Sequence, residues 1–138
     1  MTIEPLFQFD RQCEQAIELY KQAFGAKLTY LGRFGDADPK DLPPNYDTAT
    51  DAELVFHAQM KFGKQRVLMC DNLFNDLPKG HSVYPVIQFK TVEETRRAFE
   101  VLADGARIVE PLKSTTYSPL VGSLVDKFGI FWDLMTYE

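Results

Sequence analysis

The segment PLFQF at residues 5–9 recurs as PVIQF at residues 85–89, and this repeat decides the fold. The same offset of 80 aligns about twenty residues without a gap, including Gly25 with Gly105. A long period that occurs only twice is typical of two copies of one small module, because a solenoid needs at least about three stacked repeats. The chain is therefore predicted to be a duplicated unit.

Each copy has the pattern strand, helix, strand, strand, strand. In the first copy, apolar residues follow two-residue spacing over residues 3–9 and helical spacing over residues 12–24, where Asp10 is expected to cap the helix. We predict one α+β domain over residues 1–138, built from two βαβββ modules at about residues 1–72 and 80–138. Their sheets are expected to form a curved mixed sheet around a cleft.

An insertion distinguishes the two modules. The tripeptide KFG at residues 61–63 recurs at residues 127–129 with an offset of 66, which predicts 14 extra residues in the first module. Residues 35–52 contain three prolines and five aspartates, a composition typical of a solvated loop. This loop lacks the glycine and glutamate of an EF-hand, so calcium binding is not expected. We predict that it is the most mobile segment and tolerates shortening.

The composition excludes several classes of partner. The 15 Lys and Arg residues against 20 Asp and Glu residues give a net charge of −5, which repels nucleic acid and anionic membranes. No secretory signal and no apolar run long enough for a membrane helix is visible. Cys13 and Cys70 have no CxxC spacing and are expected to be reduced and largely buried. A cytoplasmic protein is predicted.

The repeated segment also predicts a site. By two-residue alternation, the glutamines Gln8 and Gln88 face away from the aromatic residues that the helices cover, so both are expected to point into the cleft. Asp133 lies in a mostly apolar strand, where an unpaired carboxylate is costly to bury. Either it reaches a solvated cleft or it has a partner. As a general base it would need a raised pKa.

The chain as a whole resembles the PhnB-like branch of the vicinal oxygen chelate superfamily, which includes glyoxalase I, extradiol dioxygenases and bleomycin resistance proteins. The segments that carry this resemblance are CEQAIELY at 13–20, AFG at 23–25, His57-Ala58, RVLM at 66–69, Pro111-Leu112, Thr116-Tyr117, Gly122 and DKFG at 126–129 with Trp132. The resemblance implies a homodimer. It also implies that Tyr117 supplies a hydroxyl to the pocket.

The resemblance implies a metal position as well. Metal enzymes of the superfamily hold a divalent ion with side chains from the first and last strands of each module, usually two His and two Glu. Here the first-strand positions are Gln8 and Gln88, and Asp133 lies four residues beyond the turn glycine. The same count in the first module gives Val67, with Met69 expected on the same face. This set is unconvincing for a hard divalent ion.

The predicted function is small-molecule binding in the cleft, with a degenerate or absent metal site and no cofactor. The expected ligand-binding residues are Gln8, Met69, Gln88, Tyr117 and Asp133. One alternative is a lyase, isomerase or dioxygenase-like enzyme that uses Asp133 or a divalent metal. Another is a structural or interaction protein without a ligand. His57 is interpreted as a hydrogen-bonded structural residue and His81 as an exposed one.

Overall fold

The computed structural model describes residues 1–44 and 46–137, except for the side chain of Thr48. The chain divides into two compact units, Met1–Pro78 and Lys79–Glu138. Each unit contains one four-stranded sheet. None of the described helices is both long and apolar enough to cross a membrane.

In its described residues, the first unit contains four strands and two α-helices, with short 3-10 helices at Phe34–Asp36 and Pro39–Asp41. The strands and α-helices are β1 (Leu6–Asp10), α1 (Cys13–Phe24), β2 (Lys27–Arg33), α2 (Thr48–Asp51), β3 (Val55–Phe62) and β4 (Gln65–Asn72). The second unit contains four strands and one helix. These are β5 (Val86–Phe89), α3 (Val92–Ala103), β6 (Arg107–Lys113), β7 (Val121–Val125) and β8 (Phe131–Thr136).

The two sheets have the same topology, which confirms the predicted α+β fold of two βαβββ modules. The strand orders are β1-β4-β3-β2 and β5-β8-β7-β6. In each sheet the first strand pairs in parallel with the last, and the other pairs are antiparallel. The edge strands also share an irregularity. Strand β2 is bulged between Leu28 and Tyr30, and β6 is bulged at the equivalent place between Ile108 and Glu110.

Helix α1 begins without the cap predicted at Asp10. Its N-cap residue Gln12 makes no side-chain capping hydrogen bond. Instead, the buried carboxylate of Asp71 accepts hydrogen bonds from the backbone N–H groups of Cys13 at 2.8 Å and Val55 at 2.9 Å. A carboxylate at this helix end also complements the helix dipole. The prediction of Asp10 was wrong because the acceptor comes from β4, 58 residues away from Cys13.

Helix α3 begins with a local signal. Thr91 and Glu94 form a capping box, in which each side chain accepts a hydrogen bond from the other residue's backbone N–H. The helix runs from Val92 to Ala103. Helix α1 ends at Gly25, which has a left-handed φ of 64° that costs glycine no steric strain.

Helices α1 and α3 each pack on one face of their own sheet and bury an apolar core there. In the first unit, Phe9 and Tyr20 are fully buried with ring centroids 6.3 Å apart. In the second unit, Trp132 and Leu134 are buried on the corresponding face. Gly122 permits close packing, because a Cβ there would lie 2.9 Å from the ring of Phe99. The opposite face of each sheet is termed the helix-free face.

The insertion between β2 and β3 is attached to the first unit at both ends. Backbone hydrogen bonds join Phe34 to Leu54 and Gly35 to Ala52. Phe34 is buried, and Arg11 forms an ion pair of 2.6 Å with the buried Asp51. The interpretation of residues 35–52 as a solvated loop is therefore wrong for the ends of the segment.

The insertion is also longer than predicted. Strand register gives an offset of 80 between β2 and β6 but of 64 between β3 and β7, a difference of 16 residues where the sequence predicted 14.

Candidate functional site

Gln8 and Gln88 lie on the helix-free faces of their own sheets, as strand alternation predicts. Both side chains are exposed, whereas Phe9, the next residue after Gln8, is fully buried under α1. In the parallel pairs, Gln8 lies opposite Cys70 and Gln88 lies opposite Met135. Residues paired in this way share one face of a sheet. Each glutamine therefore has a sulfur-containing side chain as its cross-strand neighbour.

Asp133 lies on the same helix-free face as Gln88. It pairs with Val86 on β5 and with Ser123 on β7. Gln88 pairs with Met135, two residues after Asp133 on β8, so Asp133 and Gln88 are diagonal neighbours. Long side chains can bridge the distance between diagonal neighbours. The second sheet thus brings together a carboxylate, an amide and a hydroxyl on one face.

The carboxylate of Asp133 is half-buried and makes no hydrogen bond or ion pair within the described part of the chain. Burial raises the pKa of this carboxyl, because removal from water disfavours the charged form. On β6, Lys113 forms an ion pair with Glu110 at 3.7 Å. Asp133 is therefore an unpaired acid on the face that carries Gln88.

Met69 does not share a face with Gln8, so the expectation that Met69 lies on the ligand-binding face is wrong. Met69 is fully buried and pairs with Phe7, on the side covered by α1. The repeat position of Asp133 is Leu68, since Leu68 pairs with Leu6 as Asp133 pairs with Val86. The count that gave Val67 was one residue off, and a one-residue slip moves every side chain to the opposite face.

The slip has a structural cause in the two hairpins. Phe62 pairs with Gln65 around a two-residue turn in the first unit, whereas Val125 pairs with Phe131 around five residues in the second. Phe62 is thus a strand residue, while Phe128 belongs to the turn, so the matching tripeptides are not equivalent positions.

Tyr117 lies apart from the strand residues. It is 58% exposed, in the loop between β6 and β7, where the Thr115 hydroxyl accepts a hydrogen bond from its backbone N–H. No described hydrogen bond or ring contact joins the Tyr117 side chain to Gln88 or Asp133. Its role as a pocket hydroxyl stays a prediction.

Sequence reasoning missed an aromatic pair beside Asp133. Tyr84 and Phe131 have ring centroids 4.4 Å apart, and His81 lies 5.5 Å from Phe131. The repeat positions of Tyr84 and Phe131 in the first unit are Glu4 and Arg66, which form an ion pair. The repeat offset of 80 between Glu4 and Tyr84 was the available signal. The corresponding ends of the two sheets are therefore charged in one unit and aromatic in the other.

Gln8 and Cys70 are cross-strand neighbours in the first unit. Burial raises the pKa of the Cys70 thiol, and a hydrogen bond from the Gln8 side chain partly opposes this. Cys13 is buried, and burial raises its thiol pKa far more strongly. Neither thiol is thus poised as a thiolate nucleophile.

These features can be compared with known proteins. A family model of the Glyoxalase/Bleomycin resistance protein/Dioxygenase superfamily matches residues 2–134. The chain belongs to this superfamily. It is 27% identical to protein YjdN of Escherichia coli K12 over 141 aligned residues, covering 96% of this chain and 92% of YjdN.

Two solved structures of this superfamily fold are similar over nearly the whole chain. One is the putative 3-demethylubiquinone-9 3-methyltransferase PhnB from Bacillus cereus, with a TM-score of 0.81, 22% identity and 99% of both chains covered. The other is protein PA1353 from Pseudomonas aeruginosa, with a TM-score of 0.79, 25% identity and coverage of 99% of this chain and 98% of the other.

The residues at the superfamily's metal positions do not fit a divalent ion. Gln8 and Gln88 offer neutral amide oxygens, and Leu68 stands where the first unit would need a counterpart of Asp133. Hard cations prefer several carboxylate or imidazole ligands. Within the described ranges, no three His, Cys, Asp or Glu side chains are grouped so that they could share a metal. Among these four positions, Asp133 alone supplies a charged oxygen donor.

Proposed function

We propose that this PhnB-like member of the superfamily binds a small molecule on the helix-free face of its second sheet without a metal. The observation that carries the proposal is the half-buried, unpaired Asp133 carboxylate, diagonal to the Gln88 amide. An isolated acid in such a place costs free energy unless a partner completes it. A bound molecule with a hydrogen-bond donor would supply that partner.

The surroundings of Asp133 favour a ligand with both polar and apolar parts. Gln88 can donate and accept, and the Ser123 hydroxyl can do the same. The rings of Tyr84 and Phe131 provide apolar surface next to these groups. Such a mixture of apolar walls and a few oriented polar groups is typical of small-molecule sites.

Gln8 has the same place in the first sheet that Gln88 has in the second. Ligand binding by Gln8 stays a prediction from the sequence.

A screen by thermal shift tests the proposal. A library of small polar and aromatic compounds should contain members that raise the melting temperature of the wild-type chain, because a ligand of the native state stabilises it. The shift should be reduced in Asp133→Asn and in Gln88→Ala. Matched controls are Asp104→Asn and Gln15→Ala, at exposed positions on other parts of the surface. Equal shifts in all four variants would refute the site.

Catalysis by Asp133 is the second candidate, favoured by its raised pKa. A carboxylate whose pKa lies above the ordinary range is a stronger general base at neutral pH. The enzyme would then abstract a proton from a bound substrate, as in a lyase or an isomerase. Turnover of a screening hit that Asp133→Asn abolishes, while binding persists, would establish this role.

We also propose that the protein is a homodimer in the cytoplasm. The edge strand β6 exposes Ile108 and Val109, and an apolar edge of this kind needs covering. The two cysteines Cys13 and Cys70 are free thiols, which a reducing compartment maintains. Sedimentation that gives a monomer over a wide range of concentrations would contradict the dimer.

A further inference from the structure

A row of polar side chains on the first sheet ends at His57. Arg66 donates from Nε and Nη2 to the two carboxylate oxygens of Glu4. Arg66 also donates from Nη1 to Oε1 of Gln59 at 3.5 Å. The amide nitrogen of Gln59 lies 3.3 Å from Nε2 of His57. The row therefore links four side chains from the N-terminal segment, β3 and β4.

This row fixes which way the Gln59 amide points. A guanidinium can only donate, so Arg66 requires the amide oxygen of Gln59 on its side. The amide nitrogen must then face His57, and an amide nitrogen can only donate as well. Nε2 of His57 is consequently the acceptor. A neutral imidazole that accepts at Nε2 carries its proton on Nδ1.

We infer that His57 is a positioned hydrogen-bond donor, which presents Nδ1–H to a carbonyl or carboxylate oxygen of a small molecule at the helix-free face of the first sheet. Nδ1 makes no hydrogen bond within the described residues, and His57 is half-exposed on the helix-free face. Gln59 on β3 pairs with Leu68 on β4, and Leu68 pairs with Leu6 on β1. These three residues lie on the same face, and β1 also carries Gln8. This face belongs to the first unit, so the donor role of His57 does not depend on the site proposed at Asp133.

Tyr30 adds a second polar group beside His57. Its ring centroid lies 6.0 Å from that of His57, and its side chain is 53% exposed. The hydroxyl extends over Gly32, where an added Cβ would come within 3.0 Å of it. Tyr30 and His57 thus offer two donors on one face, a combination suited to an acceptor oxygen.

Nitrogen NMR of the full chain tests the tautomer directly. The protein contains only His57 and His81, so both imidazoles can be observed after labelling of histidine alone. At about pH 8, above the range in which imidazole ordinarily titrates, His57 should carry its proton on Nδ1. Gln59→Glu replaces the donor with an acceptor and should move the proton to Nε2. Gln15→Glu adds the same charge on α1 and should leave both histidines unchanged. A proton on Nε2 in the wild-type protein would overturn the inference.

Titration with sodium acetate tests the donor role with a defined probe. Acetate should shift the His57 nitrogen signals saturably and leave His81 unchanged, while methylammonium chloride at equal ionic strength should not act on His57. Gln59→Glu should abolish the acetate response. A wild-type His57 that acetate does not perturb would overturn the donor role. The thermal-shift screen tests the proposed function separately, because the tautomer can be present even when no compound of the library binds.

Discussion

Leu68 and Asp133 occupy the same position of the internal repeat, each paired with the residue two before the glutamine of the parallel neighbouring strand. One is an apolar side chain and the other an acid. The duplicated fold has therefore kept its geometry while its two faces have become chemically different. Of these two equivalent positions, only Asp133 in the second unit therefore offers a carboxylate to a ligand.

The strand register predicts opposite consequences for two adjacent residues of β4. Met69→Ala should lower the free energy of unfolding by about 2–5 kcal/mol, because it opens a cavity beneath α1. Leu68→Ala removes a half-buried side chain from the helix-free face and should cost under about 2 kcal/mol. Chemical denaturation measures both. A larger loss for Leu68→Ala would mean that the register is wrong.

Much of the fold follows from the sequence because both modules carry the same local signals. The glycine ends of the helices and the alternating apolar residues of β1 and β5 are local features, and they place the strands and helices correctly. The cap of α1 could not be predicted, because Asp71 reaches Cys13 from a distant strand. Met69 was predicted on the wrong face because the repeat offset is 64 between β3 and β7 but 65 between β4 and β8, and the matching tripeptides concealed this one-residue difference.

The candidate site was predictable only in part. Gln8 and Gln88 follow from alternation. The row from Glu4 to His57 could not be read from the sequence, because Glu4, Gln59 and Arg66 meet only after three strands have paired.

Asp133 should make stability depend on pH. Its pKa is raised in the folded state, so folding binds a proton between the ordinary carboxyl pKa of about 3.9 and the raised value. The contribution of Asp133 to stability should therefore fall as pH rises through this window and then stay constant. Asp133→Asn should remove this loss, so the variant should gain stability relative to wild type at pH 7 but not below about pH 3. Thermal melts at a series of pH values measure this, and a wild-type advantage at pH 7 would contradict it.

The ion pair between Arg11 and Asp51 should contribute to the attachment of the insertion. Asp51 accepts hydrogen bonds from Arg11 at 2.6 Å and from the backbone of Asp47 at 3.2 Å. Asp51→Ala leaves Arg11 without this partner and should destabilise the chain by about 1–3 kcal/mol. It should also speed proteolysis between residues 36 and 51. Asp36→Ala, at an exposed position of the same segment, is the control and should change neither quantity.

The donor set predicts weak metal binding. Protein purified without a chelator should contain substoichiometric divalent metal, and added zinc, nickel or manganese should raise the melting temperature little. Elemental analysis and thermal melts check both statements. One-to-one metal retention that Asp133→Asn abolishes would promote the metalloenzyme alternative.

The small-molecule site that we propose at Asp133 and Gln88 is tested most directly by mapping a thermal-shift ligand through backbone amide chemical shifts. We expect the largest changes at Gln88, Ser123 and Asp133 on the helix-free face of the second sheet. Asp133→Asn should weaken binding at least about tenfold, as the loss of a charged hydrogen bond would. Changes confined to α1 or α3, with unaltered affinity in Asp133→Asn, would contradict the site.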